Sequence, residues 1–163
     1  MASSGGGLRL ARLMGEKMDY KKIVCAVTGS EASDRAAREA AFLAKESGAS
    51  LIFLYAVDAS FLQGMTVELR AEFAEKSLEH LGGHILERME QIARQEGVQA
   101  KRLLKRGRLM EVLREVALEE GADLLVLGKE EPSFFEKVLF RDEVEDHVKE
   151  LRERTGVEVM LVK

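Results

Sequence analysis

Leu124-Leu125-Val126-Leu127-Gly128 carries no polar side chain and is framed by Asp123 and Lys129. A short, continuous aliphatic run closed by glycine is the pattern of a parallel strand covered on both faces. In an open α/β sheet, ligands bind beyond the carboxyl ends of such strands. Gly128 is therefore where a ligand-binding loop would begin, and the segment 129–154 is where the ligand should be legible.

Working outward, similar runs occupy 23–27 and 51–57, the first being Ile23-Val24-Cys25-Ala26-Val27. The stretch 98–104 is more mixed, as an edge strand would be, and 157–162 reads as the last strand. Between them lie helical patterns. Ser30 is a good N-cap for a helix over 31–47, with Ala36, Ala37, Ala40, Leu43 and Ala44 on its buried side. A long helix is predicted over 67–96, its seam at Ala74, Leu78, Leu81, Ile85, Met89 and Ile92. Gly82-Gly83 interrupts it, through a kink or close packing. Leu109, Val112, Leu113, Val116 and Ala117 mark a third helix, and Val144, Val148 and Leu151 a fourth. The helices stop at Gly48, Gly97, Gly121 and Gly156, each followed within a few residues by a strand, because glycine accepts the left-handed conformation that ends a helix. Strand, helix, glycine, strand, repeated, predicts right-handed βαβ units and one five-stranded parallel sheet.

The 163 residues suit one α/β domain, and 46% hydrophobic content supports a packed core. No apolar run is long enough for a bilayer span, and the apolar start at Leu8 is broken by Arg9 and Arg12. A single cysteine, Cys25, excludes an internal disulfide and a cysteine-based zinc site. These features make a cytoplasmic protein the expectation. The net charge of −4 gives no overall case for nucleic acid. Residues 1–19, with Ser4-Gly5-Gly6-Gly7, read as a flexible leader or short N-terminal extension, native or left by cloning, ahead of a domain over 20–163.

Four stretches stand out: 23–33 (Ile23 to Thr28, then Gly29-Ser30-Glu31-Ala32-Ser33), Gly107 before the third helix, the run Glu120 to Gly128, and the close Val157 to Val162. In this order and spacing they resemble the universal stress protein family. The resemblance implies an α/β fold, a Rossmann-like sheet of strand order 3-2-1-4-5 with helices on both faces. It also implies a stress-response role and a homodimer paired through the last strand, at Val157, Val159 and Leu161. Family members that bind ATP carry Gly-x2-Gly-x9-Gly-Ser/Thr after the fourth strand and an aspartate at the end of the first. Here the first glycine is Gly128, but the second position is Glu131, the last two are Arg141 and Asp142, and the aspartate position is Thr28.

A phosphate loop works because glycines let backbone amides approach the oxygens. Glu130 and Glu131 bring carboxylates instead, and Pro132 removes an amide donor. The expectation is a degenerate ATP-binding motif and a non-enzymatic binding module with no cofactor. The alternative is a remodelled loop that holds ATP or another adenine nucleotide, with at most slow hydrolysis. In either case the candidate crevice is Val27, Thr28, Gly29, Ser30, Val57, Gly107, Gly128, Lys129, Glu131, Arg141 and Asp142. Phe134, Phe135 and Phe140 offer a third use, the docking of a protein partner or a different small anion.

No catalytic set is legible. His80 and His84, one turn apart with Glu87 beyond, have a spacing that can address a metal, but they lie on a polar stripe that reads as solvated. No metal site is expected there. His147 reads as flanking a helix–sheet contact. The cluster Lys101-Arg102-Leu103-Leu104-Lys105-Arg106-Gly107-Arg108 lacks interleaved aromatics, so it reads as a charged edge strand and not as a nucleic-acid surface.

Overall fold

The computed structural model describes residues 19–57, 66, 74–129 and 143–163, and for 74, 75 and 143–147 the backbone alone. In chain order the elements are β1 (Lys22–Ala26), α1 (Glu31–Ser47), β2 (Ser50–Val57) and α2 (Glu79–Gln95), the last entered through a π-helical turn at Ala74–Leu78. Then come β3 (Lys101–Arg106), α3 (Leu109–Glu120), β4 (Leu124–Gly128), α4 (Glu143–Thr155) and β5 (Glu158–Val162). The five strands form one sheet in the order β3-β2-β1-β4-β5, and every pairing is parallel. In register, Ile23 lies between Leu51 and Leu124, and Leu125 lies beside Val159.

Alternation along the strands builds two apolar layers. Ile23, Cys25, Leu51, Phe53, Leu124, Val126 and Met160 point to one face, where α1 and α2 cover them. Val24, Ala26, Ile52, Leu54, Leu125, Leu127 and Val159 point to the other, under α3 and α4. The alanines on the inner side of α1, from Ala36 to Ala44, are fully or almost fully buried, which lets this helix lie close to the sheet. The helix stops fall where the sequence puts them. Gly48 and Gly121 are left-handed caps whose N–H groups reach back to the Ala44 and Ala117 carbonyls, and Gly97 and Gly156 also have positive φ.

The predicted seam of α2 needs one correction. Leu81 is 49% exposed, while Gly82, Leu86, Met89 and Ala93 face inward. Those four recur at steps of four, three and four, so the stripe is regular. Its first member is a glycine, which gives no hydrophobic signal. A Cβ on Gly82 would lie 2.5 Å from the Tyr55 ring and 3.1 Å from Leu104. Close packing, not a kink, explains this glycine, and α2 runs through it without a break. Gly83 has open space around it. The predicted start of this helix over 67–73 lies outside the described residues.

The mixed strand is an edge, as its charges suggest. Arg102 pairs with Glu90 and Arg106 with Glu79, both carboxylates coming from α2. Exposed pairs of this kind stabilise little. Their effect is to line an open edge with charge, which discourages pairing with foreign strands. Among the described residues, no helix is long and apolar enough to cross a membrane.

Candidate functional site

Strand order reverses between β1 and β4, so the crevice at the top of the sheet is flanked by the turn after β1 and by the end of β4. Val27 continues the ladder beyond β1, with its N–H donating to the Leu54 carbonyl at 2.9 Å. Lys129 does the same beyond β4, donating to the Val162 carbonyl at 2.7 Å. Val57 and Gly107 are also joined, by Gly107 N–H to the Val57 carbonyl at 3.1 Å, on the side away from β4. The structure thus gathers Val27, Thr28, Gly29, Ser30, Val57, Gly107, Gly128 and Lys129 along one rim. Glu131, Arg141 and Asp142 lie outside the described residues, as do Phe134, Phe135 and Phe140.

The β1–α1 turn is a knot of hydroxyl groups. Ser30 caps α1, its Oγ accepting the Ser33 N–H at 3.1 Å. The Ser33 hydroxyl in turn accepts the Thr28 N–H at 2.7 Å and lies 3.0 Å from Thr28 Oγ1. Thr28 Oγ1 also donates to Ser30 Oγ at 3.2 Å. Ser33 is buried, and burial without such partners would be costly. Sequence reasoning singled out Thr28 and Ser30 but passed over Ser33. Its signal was there: a polar residue three positions after an N-cap serine occupies the reciprocal position of a capping box.

Three rim glycines have local steric or backbone reasons. Gly29 has φ +91, and a Cβ there would meet Ile85 of α2 at 2.8 Å. Gly107 has φ +136, outside ordinary side-chain conformations. A Cβ on Gly128 would lie 2.5 Å from the Ala32 carbonyl oxygen, so the first turn of α1 presses directly on the end of β4. Asp34 on that same first turn pairs with Arg88 of α2 at 2.5 Å, linking the two helices that overhang the turn.

A family model described as the universal stress protein family matches residues 19–163. The chain belongs to that family. A universal stress protein of Methanocaldococcus jannaschii is 31% identical over 130 residues, covering 80% of this chain and 76% of that protein. Among solved structures, the universal stress protein UspA from Lactobacillus plantarum superposes with a TM-score of 0.69 at 22% identity, covering 89% of this chain and 99% of that one. A universal stress protein solved in complex with cAMP gives 0.66 at 24% identity, covering 88% of this chain and 97% of that one.

In this universal stress protein β5 is the second edge of the sheet, opposite β3. Val159 is fully buried in the α3–α4 layer, while Val157 and Leu161 are half-buried beside it. The Val162 carbonyl faces β4, through Lys129. Alternation in a parallel ladder then turns the backbone of Val159 and Leu161 to the open edge. There the Val159 carbonyl accepts a bond from Arg152 of α4.

Proposed function

We propose that this universal stress protein is a regulatory, non-catalytic binding module that does not hold ATP tightly and that works as a homodimer. The observation that carries the reading is the turn after β1. ATP-binding members of the family are expected to present an aspartate there, and this chain presents Thr28, engaged with Ser30 and Ser33. The glycines of the rim add no counterweight, since helix packing or backbone conformation accounts for Gly29, Gly107 and Gly128 without a ligand.

A second reading rests on the relative that holds cAMP. That nucleotide has a single phosphate, so it needs no grip on β- and γ-phosphates. Loss of the triphosphate motif at Glu131, Arg141 and Asp142 bears on ATP more than on such a ligand. The amides at the start of α1 and the rim cation Lys129 are the groups that would meet one phosphate.

The dimer would pair β5 with its twin, which gives partners to the outward groups of Leu161 and Val159. Arg152 competes for one of them. Native mass spectrometry of the purified protein is expected to show two chains and no retained ATP. Arg152→Ala, by freeing the Val159 carbonyl, is expected to strengthen the dimer. A monomer at micromolar concentration in both proteins would remove the dimer from this account, and ATP carried in equal number with the chain would remove the binding half.

A further inference from the structure

The sequence gives no expectation of a metal on this solvated stripe, but the two imidazoles stand in direct contact, and we propose that His80 and His84 form a two-point site for a divalent transition-metal ion of the copper, nickel and zinc class. Both lie on the exposed surface of α2, four residues apart, with their Nε2 atoms 3.2 Å from each other. The rings meet edge to face, with centroids 4.6 Å apart and planes at 88°. A metal–imidazole bond is about 2.0–2.1 Å long, so an ion touching both nitrogens across that gap subtends an angle of roughly 100°. This lies between the right angle of a square-planar ion and the tetrahedral angle. The nitrogen separation therefore matches the bite of one metal, and rotation of the exposed rings, without movement of the helix, would turn both lone pairs toward it.

The surroundings keep it there. Gly82, between the two histidines in sequence, is seated against Tyr55 and Leu104, which fixes this part of α2 on the sheet. The neighbouring Glu79 is held by Arg106 and does not compete for the imidazoles. In the metal-free protein the 3.2 Å contact is an N–H···N hydrogen bond, so one ring carries its proton on Nε2. Metal binding requires both lone pairs at Nε2, and each ring then holds its proton on Nδ1. Among the described residues, no group of three or more metal-ligating side chains includes this pair, so water completes the coordination. Two imidazoles and water suit the nitrogen-favouring metals and not magnesium or calcium, and copper should bind most tightly of the series.

The test is calorimetric titration of the full-length protein with Cu2+, beside His80→Ala, His84→Ala and, as control, His147→Ala. We expect one Cu2+ per chain with micromolar affinity. Each of the first two variants should bind about tenfold more weakly or worse, because the second imidazole no longer acts at high effective concentration, and His147→Ala should be unchanged. Thermal unfolding supplies the second readout, since Cu2+ bridging one helical turn should raise the Tm of the parent and not of the first two variants. Unchanged affinity in His80→Ala and His84→Ala, loss of binding in His147→Ala alone, or no binding at millimolar Cu2+ would each overturn the proposal.

Discussion

Gly128→Ala is expected to destabilise the protein by about 3 kcal/mol, near the upper end for overpacking. The added methyl would stand 2.5 Å from the Ala32 carbonyl oxygen, 2.6 Å from its carbon and 3.0 Å from the Ser33 nitrogen. These are backbone atoms, so no rotamer change relieves the contact. The first turn of α1 would have to lift, yet Ala36, Ala37 and Ala40 below it are fully buried and Ser33 is bonded to Thr28. β4 cannot retreat either, being paired with β1 and β5. Gly128 is not among the positive-φ glycines, so the effect is steric and not conformational. Alanine's advantage in the unfolded chain, at most about 1 kcal/mol, is smaller than the clash. Urea denaturation measures the difference, and the midpoint of thermal unfolding should fall by roughly 10 °C. Stability equal to the parent would mean that the glycine is not retained for packing, and a ligand role would return.

Cys25 gives the second large effect. Its thiol is fully buried, and burial pushes its pKa well above the ordinary range. The reactive species is the thiolate, so labelling must await unfolding. Reaction with a thiol reagent should be slower than in the denatured chain by about a thousandfold or more, the lower end of usual folding equilibrium constants. The same shift sets a pH dependence. Below the ordinary thiol value of about 9.0 both states hold the proton, and stability does not respond to this group. Above it the unfolded thiol ionises while the native one stays protonated, so stability declines by up to about 1.4 kcal/mol per pH unit. Tyr20, raised by burial and by its hydrogen bond to Glu158, adds to the decline above its ordinary value of 10.0. Denaturation of the parent and Cys25→Ala at pH 8 and pH 10 should show a smaller alkaline loss in the variant. Equal losses, or rapid labelling of the native protein, would contradict the buried position.

The architecture was legible because two independent signals agreed. Buried strands read as unbroken apolar runs, as in Ile23 to Val27 and Leu124 to Leu127, and each helix carried a glycine at its end. The seam of α2 was misread at Leu81 because the inward position beside it, Gly82, contributes a contact through the absence of a side chain. Hydrophobic periodicity cannot register that. Ser33 was passed over for a related reason: a serine in a helix looks like surface until the turn before it brings Thr28 onto its hydroxyl. Gly128 ends β4, as its sequence suggests, but its sequence neighbours could not show that a Cβ there would meet the Ala32 carbonyl, ninety-six positions earlier in the chain. Glu131, Arg141, Asp142 and the three phenylalanines lie outside the described residues, so the loop after Gly128 is read from residue chemistry alone.

The most direct test of a crevice shaped by packing and hydroxyl bonding, and not by a triphosphate, is calorimetric titration of the purified protein with ATP and magnesium. The account predicts no heat of binding through the micromolar range. A saturable isotherm with micromolar Kd, about −8 kcal/mol of binding free energy, would contradict it.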